Sequence, residues 1–358
     1  MKYLAPVLAA VLLCASCRTV HFTARGNYQL PASYEESEAW RTGKSDPFVN
    51  EIIESPEFSG YRGRDPLEYI NLVAYHIKSN TKNEFERVKR AHDFVVNYLT
   101  YDVKLHRASN RSFFPKAIKK QDAAAVVRSG RAVSFGYANL FQAICNAMGN
   151  NSEVVNGYAR GENFSPFKKN EYKQRPGHVW NIVQIYDCWY LIDVTWNAGS
   201  VEKAGKKDIF IKNYSTEWLF TNPQYFVYTH LPNNLNHELL EYLIQPEDFL
   251  QLPYQRPLYF ETVIQMSPRL IKEYEVNSGV LSMSYILADN MDLEFMVVDK
   301  TGKKDLSKTQ KYFEKKQTKR NAAQLYFNKR GKYILRIYTR ESLFAGNEHI
   351  AECGLIVE

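Results

Sequence analysis

Three short segments carry residues suited to acyl-transfer chemistry. Ser134 opens Ser134-Phe135-Gly136-Tyr137-Ala138, His178 lies in Gly177-His178-Val179-Trp180-Asn181, and Asp193 lies in Trp189-Tyr190-Leu191-Ile192-Asp193-Val194-Thr195-Trp196. A small nucleophilic side chain at a helix start meets unpaired N–H groups and the positive end of the helix dipole. A histidine that begins one strand and an aspartate that ends the next supply a base and the group that orients it. Taken singly, each residue has a plain structural role: Ser134 as an N-cap, His178 as a strand-start residue, Asp193 as a turn residue.

The elements around these residues decide whether they meet. Val179–Tyr186 and Trp189–Thr195 alternate like strands and flank Asp187-Cys188, which reads as a hairpin turn. Positions of opposite parity then share a face, so His178 and Asp193 project the same way. A two-residue turn at Asp187-Cys188 pairs Asp193 with Ile182, four residues from His178. At 3.3 Å per residue that is roughly 13 Å, beyond a hydrogen bond. Contact between the two therefore requires a longer loop, a bulge or strong shear.

Upstream, Asp65-Pro66 reads as an N-cap and first-turn proline, followed by the apolar stripe Leu67, Ile70, Val73, Ala74 and Ile77. Thr81-Lys82-Asn83-Glu84 has capping-box spacing before a second helix that ends near Leu99-Thr100-Tyr101-Asp102. A third helix is expected from Ser134 to Met148, closed by Gly149, and Glu153–Tyr158 reads as a strand. Residues 103–120 read as a basic surface loop and 197–209 as a Lys/Gly-rich loop. Beyond residue 258 the pattern changes to short strands with Gly302, Gly331 and Gly346 in the turns, the pattern of a small β-sandwich. Lys303–Arg320, inside it, reads as a solvated basic hairpin or loop.

In order and spacing the three segments resemble the transglutaminase-like superfamily, and within it the kyphoscoliosis-peptidase group. That pattern is a Gly-Val-Cys-x-Gly-Tyr-Ala helix start, a His-x-Trp-Asn strand and a Trp-Tyr-x-x-Asp-x-Thr-Trp segment. Val133, Gly136, Tyr137 and Ala138 match the first, His178, Trp180 and Asn181 the second, and Trp189, Tyr190, Asp193, Thr195 and Trp196 the third. Phe220-Thr221-Asn222-Pro223 and His230-Leu231-Pro232 extend the likeness, which covers roughly 65–255. The resemblance implies an α+β fold: a papain-like transglutaminase core of helices packed on an antiparallel sheet, followed by the small C-terminal β-sandwich. It implies a Ser134, His178, Asp193 constellation in the positions of a Cys-His-Asp triad, with Tyr137, Trp180, Asn181 and Trp196 supporting the cleft.

The departure falls on the nucleophile, because Ala132-Val133-Ser134 stands where the pattern has Gly-Val-Cys. A thiol pKa of about 8.5 falls to roughly 3.5–7.5 in a positive environment, so a thiolate–imidazolium pair can exist before substrate arrives. A serine hydroxyl cannot be stored as an alkoxide and needs concerted base catalysis and a formed oxyanion hole. Neither Cys145, eleven residues down the helix, nor Cys188, at the hairpin tip, is placed to substitute. The sequence thus favours a catalytically degenerate domain that binds protein, peptide or glycan. Two alternatives stay open: an active serine- or thiol-type acyl hydrolase or peptidase using Ser134, His178 and Asp193, and a purely structural envelope lipoprotein.

The chain holds 358 residues with a formal charge of +7, 45% hydrophobic residues and five cysteines. The charge is spread, and no nucleic-acid motif accompanies it. Met1-Lys2, an apolar run from Tyr3 to Leu13, and Ala15-Ser16-Cys17 have the proportions of an export signal. Small residues before Cys17 resemble a bacterial lipoprotein processing site, with Cys17 lipidated, which implies an exported, membrane-anchored protein of the cell envelope. The expected organisation is an export segment (1–17), an extended leader (18–64), a transglutaminase-like domain (65–255) and an immunoglobulin-like β-sandwich domain (256–358). Cys14 and Cys17 belong to the export segment, the remaining Cys145, Cys188 and Cys353 are scattered with no CxxC pair among them, and no EF-hand loop or histidine pair with ligand-helix spacing is present, so no metal or cofactor is expected.

Overall fold

The computed structural model describes residues 32–109, 120–161, 164–168, 177–205, 207–304, 306, 312–317, 320–341 and 347–358. The export segment and Cys17 lie outside the described residues.

Helix Pro66–Ser79 starts as its sequence dictates: Asp65 accepts from the Glu68 amide at 3.1 Å and Pro66 fills the first turn. Its buried face is Tyr69, Ile70, Val73, Ala74 and Ile77, whereas Leu67, expected in the stripe, is exposed. The next helix, Glu84–Tyr98, is capped by Asn83 rather than Thr81. Asn83 accepts from the Glu86 amide at 2.8 Å, and Glu86 reaches back to the Lys82 amide at 2.7 Å. Thr81 instead donates to the Lys78 carbonyl at the end of the preceding helix. Helix Ser134–Met148 runs as expected and stops at Gly149, whose φ of 91° suits glycine.

These helices share a core with one face of an antiparallel sheet. The strands of the N-terminal half are β1 (Thr100–Tyr101), β2 (Arg131–Ala132), β3 (Ser152–Ala159), β4 (His178–Ile185), β5 (Cys188–Ile192), β6 (Gly199–Ala204), β7 (Lys207–Lys212), β8 (Leu219–Thr221) and β9 (His230–Pro232). The central sheet has the order β8-β5-β4-β3-β9, while β1 and β2 form a short parallel pair.

Three sequence expectations change in this half. The described part of the leader is not extended: it forms short helices at 32–38, 48–54, 56–59 and 61–64. Tyr34, Val49, Ile52 and Phe58 bury against the main core, which is why these segments order although each is too short to be stable alone. The 197–209 loop is largely the β6–β7 hairpin, with Phe210 packed 5.8 Å from Tyr101. Part of the 103–120 loop is a helix, Val103–Ser109.

The chain then enters a two-sheet sandwich. Its strands are β10 (Tyr254–Gln255), β11 (Val263–Ser267), β12 (Glu273–Val276), β13 (Val280–Leu287), β14 (Met291–Asp299), β15 (Tyr312–Gln317), β16 (Arg320–Tyr326), β17 (Gly331–Glu341) and β18 (Glu348–Val357). One sheet has the order β10-β18-β17-β14 with β12 parallel to β18, and the other is β11-β13-β16-β15. Their facing apolar residues, among them Met283, Tyr285, Phe295, Leu335 and Cys353, form a second core. The basic stretch between 303 and 320 contains strand β15. Arg256 ties the halves together, pairing with Glu217 and, at 3.1 Å, with Glu348. Among the described residues no helix is long and apolar enough to cross a membrane.

Candidate functional site

Ser134 is the first residue of its helix, and Val133, not Ser134, is the N-cap. Its amide therefore lies in the turn where an α-helix offers no internal acceptor. Gln121 fixes the entry to this turn, its Oε1 accepting from the Val133 amide at 2.9 Å. Gly136 is required two residues later, since a Cβ there would lie 2.6 Å from Val126 Cγ1, 2.7 Å from Ala132 Cβ and 2.7 Å from Gln121 Oε1.

The helix and β4 run the same way. Near their C-terminal ends, Asn150 Nδ2 meets the Gln184 carbonyl at 3.5 Å, and midway Asn181 Nδ2 donates to the Ala138 carbonyl at 3.2 Å. Ser134 lies four residues before Ala138 and His178 three before Asn181, so both sit at the same end of the paired elements. Among the described residues the Ser134 hydroxyl has no hydrogen bond to His178 or to any other group.

His178 and Asp193 do meet: His178 Nε2 lies 2.5 Å from Asp193 Oδ2. The hairpin turns one residue earlier than expected, at Tyr186-Asp187, with Ile185 opposite Cys188 and Asn181 opposite Ile192. That register carries Asp193 to a place across from Trp180, so His178 becomes its diagonal neighbour at roughly 7–8 Å. Asp193 also leaves the ladder and bends back. Its own N–H donates to the Trp218 carbonyl at 2.9 Å. Its Oδ1 accepts from the Thr195 and Trp196 amides at 2.9 and 3.0 Å. The early turn places Cys188 within β5 beside Ile185, not at the tip, and Cys145 is buried in the core.

His230 joins the pair without any local signal in the sequence. This residue, at the start of β9, is fully buried and places Nε2 3.2 Å from the same Asp193 Oδ2. Its Nδ1 lies 2.9 Å from Thr229 Oγ1. His230-Leu231-Pro232 carries part of the family likeness, but nothing local marks His230 as a partner of a residue 37 positions earlier. Burial depresses the His230 pKa to about 4, outweighing the opposing pull of Asp193. Burial by itself would raise the Asp193 pKa, but His178 and His230 outweigh it and hold the carboxyl well below the usual carboxylate range.

Of the four expected supporting residues, Trp180 and Trp196 pack on the histidines, while Asn181 and Tyr137 pack on neighbouring elements. Trp196 lies 5.1 Å from His178 and 4.5 Å from His230 between ring centroids, and buried Trp180 lies 4.9 Å from His230. Asn181 is buried and, besides Ala138, donates to the Glu153 carbonyl at 3.3 Å. Tyr137 is buried 6.3 Å from Tyr101. His106, also without a local signal in the sequence, lies in the helix after β1 with its Nδ1 3.0 Å from the Tyr101 hydroxyl. Burial, then the proximity of His178, lowers its pKa.

A second buried polar chain props the turn after Asp193. Asn197 Nδ2 lies 2.9 Å from His92 Nε2, His92 Nδ1 lies 2.9 Å from Asp93 Oδ1, and Lys89 pairs with Asp93 at 2.6 Å. Asn197 in turn accepts from the Trp218 amide at 3.0 Å. Each member is satisfied within the chain, which fits a structural strut.

The site thus has an oriented imidazole, a buried carboxylate and a helix-start hydroxyl. His178 Nε2 is engaged by Asp193, which leaves Nδ1 as the ring nitrogen able to take a proton from a group at position 134.

Residues 72–194 match the family model of the transglutaminase-like superfamily. The chain is 27% identical over 172 residues to the kyphoscoliosis peptidase of Mus musculus, covering 48% of this chain and 24% of that protein. It is 23% identical over 215 residues to hillarin of Drosophila melanogaster, covering 55% of this chain and 26% of that protein. The match thus spans about a quarter of the length of these curated relatives. Among solved structures, a TGase aligns with a TM-score of 0.29 and 16% identity, covering 49% of this chain and 40% of that one.

Proposed function

We propose, from the place of residues 72–194 in the transglutaminase-like superfamily, that this domain binds an extended protein, peptide or glycan at the cell envelope without turning it over. One observation carries the reading: a serine heads the helix where the family pattern has cysteine, and it has no hydrogen bond to the assembled His178–Asp193 pair. A hydroxyl deprotonates only if a base holds it in line. Without that bond the pair orients a ring that has nothing to activate. Export and anchoring through Cys17 belong to the same proposal and rest on the N-terminal sequence alone.

The test is turnover. Purified wild type and Ser134→Ala are assayed for peptidase, amidase and transamidase activity, with ligand binding scored on peptide and glycan arrays. Equal, background turnover with retained binding supports the reading. Turnover that disappears in Ser134→Ala overturns it.

A second reading, a serine-dependent acyl hydrolase, draws on the intact pair, since an imidazole 2.5 Å from a buried carboxylate is what a general base needs. It requires that a serine-directed phosphonate label Ser134 in wild type but not in His178→Ala. Ser134→Cys is the companion variant, because thiol reactivity gained there reports whether the surrounding machinery still works.

A further inference from the structure

Three potential ligand atoms converge at the end of the central sheet. His178 Nε2, Asp193 Oδ2 and His230 Nε2 all lie within 4.8 Å of one another. We infer that this cluster is a binding site for a divalent transition-metal ion of the zinc type, held by two imidazoles and one monodentate carboxylate with an open position on the His178 side.

The donor set comes first. Two imidazole nitrogens and a carboxylate oxygen suit zinc or cobalt, and three protein ligands with an open fourth position is a common arrangement for such ions. Ligand bonds of about 2.0–2.2 Å require movements of under about 1 Å from the observed positions. His178 keeps 11% of its side-chain surface exposed while Asp193 and His230 keep none, so the open position faces its side.

The surroundings supply the second argument. Asp193 presents one oxygen to both rings, because its other oxygen is already held by the Thr195 and Trp196 amides. A ligating histidine needs its remaining ring N–H bonded, which fixes the tautomer. For His230 that partner is Thr229 Oγ1 at 2.9 Å, and the Thr229 hydroxyl itself reaches the Phe226 carbonyl at 3.1 Å. With the Thr229 proton on Phe226, His230 carries its proton on Nδ1 and turns a lone pair on Nε2 toward Asp193. With the Thr229 proton on His230, Nε2–H donates to Asp193 instead. Thr229 therefore supports both a metal-free and a metal-bound state, and binding displaces the protons between the rings and the carboxylate.

The third argument is charge. Asp193 is a buried anion whose two histidine partners pack among the rings of Trp180, Trp196 and Phe226, and a cation offsets its charge at short range. No metal-ligand spacing in the sequence marks this site, since its ligands are scattered over positions 178, 193 and 230.

The experiment titrates Co²⁺, then Zn²⁺, into the purified full chain without a histidine tag, reading visible absorption and calorimetry. One equivalent of Co²⁺ should develop d–d bands that Zn²⁺ abolishes. His178→Gln and His230→Gln should each weaken binding at least tenfold. His178 is partly exposed, so that variant is expected to fold even if His230→Gln does not, and circular dichroism checks both. Absence of stoichiometric binding, or binding unchanged in folded His178→Gln, overturns the proposal. The readout is independent of turnover and of ligand capture, so its failure leaves the binding reading standing.

Discussion

Removing the Asp193 carboxylate should destabilise the N-terminal half of the chain far more than removing the Ser134 hydroxyl. The Asp193 side chain has no exposure and accepts four contacts: the Thr195 and Trp196 amides at 2.9 and 3.0 Å, and the two histidines at 2.5 and 3.2 Å. In Asp193→Ala both amides lose their acceptor where water does not reach, at about 1–3 kcal/mol each. One-sided removal of a buried, hydrogen-bonded charge costs about 3–5 kcal/mol, which agrees with that sum. For a unit of this size the loss corresponds to a fall in Tm of roughly 10 °C. Ser134→Ala removes a hydroxyl with no partner among the described residues and should change stability by about 0.5 kcal/mol or less. Asp193→Asn keeps an acceptor for the two amides and should fall between. Urea and thermal denaturation followed by circular dichroism measure all three. A loss below about 1 kcal/mol in Asp193→Ala would mean that water satisfies these amides, and the argument for a dry, rigid carboxylate would fail.

Other outcomes follow from particular environments. Glu238 is 3% exposed and burial raises its pKa from 4.5 to about 7. Between those values the unfolded chain releases a proton that the folded chain keeps, so stability falls as pH rises and levels off above about 7. Glu238→Gln should remove that slope, with an advantage over wild type that grows across this window to at most about 3 kcal/mol; parallel urea curves at pH 5 and 8 with no difference would refute it. Gly157→Ala should destabilise by about 2 kcal/mol or more, since its Cβ would lie 2.3 Å from the Leu231 carbonyl and 2.4 Å from Trp180 Cη2, and a near-neutral melt would show that β3 and β9 are looser than described. A thiol reagent applied to folded protein should modify Cys188 and spare Cys145 and Cys353, whose thiol pKa values burial pushes up; fast modification of Cys145 would contradict the packed helix.

The amino-acid sequence by itself determined the local elements of this protein. Asp65-Pro66 starts a helix because cap and first-turn proline act within one turn. Ser134 heads another, and the parity of His178 and Asp193 already puts them on one face of a hairpin. These are short-range consequences of a chain that repeats every 3.6 or 2 residues. Capping was legible only to within a residue or two, since Asn83 and Thr81 are both competent and the choice depends on which helix end needs a partner. The short helices before residue 65 were invisible because their stability comes from burying Tyr34, Val49, Ile52 and Phe58 against a core assembled from distant segments. The hairpin register likewise depended on one residue of turn placement, a shift that moves His178 from four residues away from Asp193's cross-strand position to two. His230 needed the tertiary structure altogether: β9 reaches Asp193 only through the pairing of β9 with β3 and β3 with β4. No property of residues near 230 encodes that neighbour, because long-range strand pairing, not local propensity, sets which side chains converge.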